Sequence, residues 1–430
     1  MNEQNYEYVV VGSGAGGATV ARELGKAGKN VLVIEKGKNE SKIGTFLDAL
    51  RFYDANKITR IPTKSKEGVI LWRVFMAGGT TMVSMANGVR CLQKELNDYG
   101  LDLEDEFKDA ESELNIKPIP DSLLSEGGLR IREASRMVGH PLTNMPKFLE
   151  AERCKRCGHC SLGCKYNAKW TTYNYLKEAQ QFDTEVLYDS EVIKVLVENG
   201  KVRGVRVANE NGNKDIRTDN VILSAGGLGS PVILQKSGIS NAGTHLFIDL
   251  IINTYAKTPD FSIMHEPQMS LINHEYHQDR GFIISTCINS PPEVRLMELG
   301  IAGFSMPTKR LVGIMTKIAD DATGRIYPDG SVSKKPSIAD QEKLSEGTQI
   351  AKEILIKAGA EPKTIRYSIP QGAHPGGTAA MGRIVNNHLE TEIKNLYVCD
   401  ASVLPKSPGL PPILTIIALG KRLSKELIAH

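Results

Sequence analysis

The chain has 430 residues, 41% of them hydrophobic and 24% charged, a composition that can bury large cores in two or three domains and excludes an intrinsically disordered chain. Its 53 Lys and Arg against 50 Asp and Glu leave a net charge of +3, too balanced over this length for a nucleic-acid binder. The longest apolar stretch, near 410–420, is interrupted by Pro411 and Pro412 and falls short of the ~20 residues that span a bilayer, so no membrane crossing is expected.

An apolar strand is expected over residues 7–12, so close to Met1 that no charged, apolar and cleavage-site leader fits before it, and a cytoplasmic protein is expected. A glycine turn, a helix over 16–27 with Ala18, Val20, Ala21 and Leu24 inward, and a second strand over 30–35 complete a βαβ unit. Residues 184–207 carry short β-rich runs punctuated by Asn199-Gly200 and Gly204, which predict a hairpin or meander. Residues 220–239 read as strand, glycine turn and helix; 245–318 alternates apolar strands with Pro and Gly turns; and 338–359 predicts a helix.

In the first unit Gly12, Gly14 and Gly17 form GxGxxG. The first glycine allows the tight turn, the second lets backbone approach a pyrophosphate, and the third lets helix and strand pack closely. The phosphate would rest at the helix N-terminus. Glu35 ends the next strand about twenty residues on, placed for the adenosine ribose hydroxyls. This spacing alone does not separate FAD from NAD.

Cys154, Cys157, Cys160 and Cys164 follow C-x2-C-x2-C-x3-C, the ferredoxin-type spacing, and Gly158 and Gly163 supply the backbone freedom such a loop demands. An iron–sulfur cluster, 4Fe-4S by ligand count, is the expectation, with a tetrahedral structural zinc as the alternative. Cys164 would fold back as fourth ligand, or Cys91, Cys287 or Cys399 would supply it. A cluster passes one electron at a time, so it would imply a dehydrogenase handing electrons to an external acceptor protein.

The last sixty residues hold HPGGTAAMG at 374–382 and NLYVCDASVLPKSPGLPPILTIIALG at 395–420. A histidine suits proton transfer because its pKa lies near the working pH. Together with the N-terminal glycines, these runs make the chain resemble the glucose–methanol–choline (GMC) family of FAD-dependent oxidoreductases. The loop MAGGTTMVSMANG at 76–88 resembles the family's flavin-side loop, with Gly78, Gly79, Thr80 and Ser84 at the contacting positions. The run at 225–239 resembles its second signature at Ser230, Pro231, Ser237 and Gly238, departing at Gly227 and Ser240.

The resemblance implies an α/β fold: a Rossmann-like FAD-binding domain from 1–90, 185–245 and 372–430, and a discontinuous α+β substrate-covering domain from 91–184 and 246–371 with the cysteine loop 154–164. It implies His374 as the base taking a hydroxyl proton while hydride leaves for the flavin, Asp400 and Ala401 at the flavin pyrophosphate and ribityl chain, and Thr415 opening a helix aimed at the flavin pyrimidine ring. FAD would be non-covalent, since residues 76–88 hold no His or Cys. Around the cysteines the chain looks similar to the family's long-chain alcohol oxidases, including Ala168-Lys169. Where relatives carry a second His or Asn, this chain has Pro411-Pro412, so that hydrogen bond is missing and Ser407, His265 or His277 is a candidate to replace it. The chain is also short for the family, which leaves room for a partner subunit or oligomer. An alcohol-type substrate is expected; the alternatives are a flavin reductase of a C=C or C=O bond fed by a ferredoxin-like donor, and a non-catalytic electron-transfer subunit.

Overall fold

The computed structural model describes residues 6–41, 43–55, 62–306 and 308–429. The expected βαβ unit is present as strand Tyr6–Val11, helix Ala15–Lys26 and strand Val31–Ile34. Both strands are almost wholly buried, as continuous apolar runs covered on two faces should be.

The first sheet runs, in spatial order, Glu185–Leu187, Val31–Ile34, Tyr6–Val11, Gly212–Leu223, Lys201–Asn209 and Glu191–Glu198, with Leu396–Val398 also beside Gly212–Leu223. Strand Gly212–Leu223 does two jobs. Its first half pairs antiparallel with Lys201–Asn209 and its second half pairs parallel with Tyr6–Val11. The hairpin turn expected at Asn199-Gly200 carries both residues at positive φ, the backbone that matches strand twist in a two-residue loop. Gly204, expected to punctuate a turn, lies inside a strand instead, where a Cβ would stand 2.2 Å from the Ile216 oxygen.

The second sheet orders Ile70–Leu71, Gln371–Gly372, Leu250–Lys257, Leu311–Ile318, Phe282–Thr286, Leu271–Asn273 and Thr143–Asn144, with Arg366–Tyr367 also on Leu250–Lys257. Its middle ladders are antiparallel, with Ile251 opposite Lys317 and Asn253 opposite Met315. Helix Ile338–Lys357 is capped by Ser337 and Asp340 and covers this sheet through Leu344, Ile350, Ala351, Ile354 and Leu355. It lies close because Gly347 has no side chain: a Cβ there would meet the Thr316 methyl at 2.3 Å. Each sheet anchors its own apolar core. Residues 293–305, which carry no clear period in sequence, form a π-helical and a 3₁₀ turn beside the second sheet. No helix among the described residues is long and apolar enough to cross a membrane.

Candidate active site

A cavity of about 860 Å³ is lined by residues of both sheets. At one end, Gly12 takes φ +95° after the first strand, and a Cβ would stand 2.5 Å from the Ser224 oxygen. Gly17 packs so tightly that a Cβ would lie 2.0 Å from the Gly12 oxygen. Gly14 caps the helix, and a Cβ there would meet nothing within 4 Å. The loop is therefore closed on the protein side and open where a phosphate would approach. Gly79, from the second glycine loop, comes close enough that a Cβ would stand 2.9 Å from the Gly14 Cα, and the Gly78 N–H donates to Ser13 Oγ at 3.0 Å. Thr80 and Ser84 follow along the same wall.

Glu35 is buried and reaches back into the first loop. Its Oε2 accepts from Ser13 N–H at 2.9 Å and Ser13 Oγ at 2.6 Å, and its Oε1 from Gly37 N–H at 2.7 Å; burial raises its pKa against these donors. Asp400 is the corresponding hub on the opposite side: Oδ2 accepts from Gly226 N–H at 2.9 Å and Ser230 Oγ at 2.5 Å, Oδ1 from Ser402 N–H at 2.8 Å. Both acids and Ala401 line the cavity. Gly17, Gly78 and Thr415 do not. Thr415 is the third residue of helix Ile413–Ala429, not its opening residue, and its hydroxyl pairs with Cys91 N–H and C=O, each at 3.1 Å. Pro411, Pro412 and Ile413 form that wall instead.

His374 lines the other end. Its Nδ1 lies 2.9 Å from Asp249 Oδ2 and 3.0 Å from Lys317 Nζ, and Lys317 Nζ lies 3.1 Å from the same Asp249 oxygen. Nδ1 can donate to the carboxylate or accept from the ammonium, not both. The first arrangement leaves Nε2 as an unprotonated base; the second protonates Nε2. Asp249 Oδ1 is also held, by Ser407 Oγ at 2.6 Å and Gly409 N–H at 3.0 Å. Ser407 in turn reaches Asp320, which pairs with Lys334 at 2.6 Å. Asp249, Lys317, Asp320 and Lys334 are all fully buried.

These contacts set the charges. Burial pushes His374 below its usual value, and Lys317 pushes the same way against Asp249. Burial would raise Asp249, but Lys317 and His374 hold it below the ordinary carboxylate range. Burial lowers Lys317 despite its carboxylate partner. Of the side chains considered as replacements for the missing second donor, Ser407 stands behind His374 by way of Asp249, His277 pairs with the Pro408 carbonyl at 2.6 Å, and His265 is exposed. Lys317 and Asp249 are the residues that sequence reasoning missed. Their signal was faint: Lys317 is one charge in an otherwise apolar strand, and Asp249 sits just before strand Leu250–Lys257 at a φ of +53°.

The cysteine run corrects an expectation. Cys154, Cys157, Cys160 and Cys164 are free and half-buried, and among the described residues no group of three or more His, Cys, Asp or Glu could hold a metal ion. The loop's spacing is used for turns: Arg156, Gly158 and Gly163 adopt positive φ, Cys160 starts a short 3₁₀ turn, and Cys164 Sγ accepts the Ala168 N–H at 3.3 Å. Burial raises the Cys154 thiol to about 11. Neither a 4Fe-4S cluster nor zinc at the four cysteines is supported by this arrangement.

Two sequence patterns described as GMC oxidoreductase match this chain, the N-terminal one over residues 6–250 and the C-terminal one over 316–420. The chain belongs to the GMC oxidoreductase family. An uncharacterized protein of Methanocaldococcus jannaschii is 31% identical over 98% of this chain and 100% of its own length. Long-chain-alcohol oxidase FAO3 of Arabidopsis thaliana is 23% identical over 98% of this chain and 67% of its own. Among solved structures, pyridoxine 4-oxidase from Mesorbium loti superimposes with a TM-score of 0.76 at 15% identity, covering 99% of this chain and 100% of that one; at that identity the likeness shows the fold. This member of the GMC family is accordingly an FAD-dependent oxidoreductase with a Rossmann-like α/β architecture.

Proposed function

We propose that the protein oxidises an alcohol-type small molecule, with His374 as the base. The observation that carries this reading is the 2.9 Å contact from His374 Nδ1 to the buried Asp249 carboxylate at the cavity wall. With Nδ1–H donated to Asp249, Nε2 keeps its lone pair and can take the hydroxyl proton. Asp249 then stabilises the imidazolium that forms, while Lys317 keeps the resting imidazole neutral. Gly12, Gly14, Glu35, Gly79, Thr80, Ser84, Asp400 and Ala401 would hold FAD non-covalently, and FAD would supply a hydride acceptor for the substrate carbon. An external acceptor would be needed to complete the cycle.

Two relatives are named for hydroxyl chemistry, a long-chain-alcohol oxidase and a cholesterol oxidase, which supports this reading. Anaerobic bleaching of the flavin by candidate alcohols tests the proposal. His374→Ala should bind FAD normally and slow bleaching by about 100-fold or more. Bleaching at the wild-type rate would remove His374 from the reaction.

A further inference from the structure

Among the described residues five lysines are buried: Lys147, Lys169, Lys317, Lys334 and Lys421. Three of them answer carboxylates, Lys317 with Asp249 at 3.1 Å, Lys334 with Asp320 at 2.6 Å, and Lys421 with Asp109 and Glu113 at 2.9 Å each. Lys147 and Lys169 do not. Lys147 Nζ donates to the Met85 carbonyl at 2.7 Å, the Gln268 carbonyl at 2.9 Å and Asn87 Oδ1 at 2.5 Å. Lys169 Nζ donates to the Ser84 carbonyl at 2.6 Å and the Cys160 carbonyl at 2.8 Å. All of these acceptors are neutral, whereas a buried charge ordinarily has a counter-charge.

Both ammonium groups stand behind the same stretch of cavity wall. Ser84, Met85 and Asn87 line the cavity, so each Nζ lies one hydrogen bond behind a lining residue. The loop that carries them starts at Gly79, packed on Gly14 at the phosphate end. It reaches Asn87, whose Nδ2 donates to Met269 Sδ at 3.0 Å, just before strand Leu271–Asn273 of the second sheet. The wall in front of the lysines therefore leads from the phosphate end toward the half of the cavity that holds His374. Burial pushes both lysines down to about 8, which leaves them charged at neutral pH. The acidic side chains acting on them are thiols, Cys160 first, and burial raises Cys154, Cys157 and Cys287 away from ionisation. Glu293, a buried carboxyl on the cavity wall, accepts from Ser290 N–H at 2.9 Å and Ser161 Oγ at 3.4 Å instead.

A pair of cations without counter-charges behind one wall favours negative charge in front of it, and in a low-dielectric interior that attraction is weakly screened. The flavin ring is neutral when oxidised and gains negative charge when reduced. We infer that Lys147 and Lys169 are positioning residues that raise the reduction potential of the bound flavin, acting through Ser84 and Met85 without touching it. Their charge holds the reduced form more tightly than the oxidised one, so the flavin takes electrons from a weaker reductant than it otherwise could. This inference rests on the reading of Ser84 as a flavin contact and is independent of which substrate donates the hydride.

The test uses the FAD-loaded protein and needs no alcohol. The midpoint potential of the bound flavin is read anaerobically by equilibration with reference dyes, and the Kd of oxidised FAD is read by titration; together they give the ratio of affinities for the reduced and oxidised forms. Lys147→Gln and Lys169→Gln remove the charge and keep an amide N–H that can donate to the same carbonyls. Each should lower that ratio about tenfold or more, a fall of about 30 mV for a two-electron couple. Lys169→Arg keeps the charge and should hold the potential near that of the wild type. If one glutamine variant fails to fold, the other carries the test. An unchanged potential in a folded, FAD-loaded glutamine variant would overturn the inference, and so would a loss of affinity shared equally by both redox forms, which marks a merely structural role. Wild-type protein that binds no FAD would sink the cofactor site itself, a failure visible before any variant is made.

Discussion

Lys317 acts on two neighbours at once: it holds Asp249 ionised and His374 unprotonated. The sign of its effect on activity follows. On the proposed mechanism His374 must be neutral to take a proton, so activity should be lost as pH falls through its folded-state pKa, which lies below the usual histidine value. Lys317→Met removes a cation that lowers this pKa, and the acid limb of the bleaching rate should move to higher pH. Asp249→Asn removes the anion that raises it and the acceptor that fixes the tautomer; it should shift the limb the other way and slow the reaction about 100-fold. Lys317→Met also leaves Asp249 buried without its ammonium, a loss of about 3 kcal/mol in unfolding free energy. A pH profile unchanged in both variants would show that the triad does not tune His374. His374 stood out in the sequence because HPGGT precedes NLYVCDASVLP at the distance the family resemblance implies. Asp249 and Lys317 did not, because one is a lone charge just before a strand and the other a lone charge within one, and only the pairing of Leu250–Lys257 with Leu311–Ile318 brings them together.

The two glycine loops show how much of an element's role a motif can carry. Gly14 and Gly17 are three residues apart in one motif, yet the structure gives them opposite consequences. A Cβ at Gly14 meets no protein atom within 4 Å, while one at Gly17 would collide with the Gly12 carbonyl. Gly14→Ala should therefore fold with near-normal stability and bind FAD more weakly, by about tenfold or more, because the methyl occupies the approach of the pyrophosphate. Gly17→Ala should lose roughly 2 kcal/mol or more of stability, because helix and strand must separate. Chemical denaturation and FAD titration of both variants would check the contrast, and equal stability losses would refute it. The βαβ unit, the hairpin at Asn199-Gly200 and helix Ile338–Lys357 were readable from period and turn chemistry. The turns over 293–305 were not, since a π-helical and a 3₁₀ turn share no simple period, and Glu293 stayed hidden with them. The cysteine spacing was misleading for a related reason. Short gaps rich in glycine serve a tight turn as well as a ligand loop, and only the side-chain positions tell them apart.

At the scale of the molecule, the cavity lies between two sheets that each carry their own core. Residues 12–16 and 35 reach it from the first sheet, residues 251, 253, 315 and 317 from the second, and the loops at 79–85 and 400–401 complete its walls. A ligand filling this space touches both halves, whereas the empty cavity leaves its lining without contact partners. FAD should thus act as a bridge and not only as a reagent. At a free concentration 100 times its Kd it should stabilise the folded protein by ~2.7 kcal/mol, raising the melting temperature by several degrees. The gain should appear in both sheets: amide exchange should slow at Gly12–Gly17 and also along Leu250–Lys257 and Leu311–Ile318, whose ladder carries Lys317. Slowing confined to the first sheet would mean that the flavin end of the cavity does not couple to the wall that binds substrate. In that case closure of the second sheet over the flavin would have to come from the substrate itself.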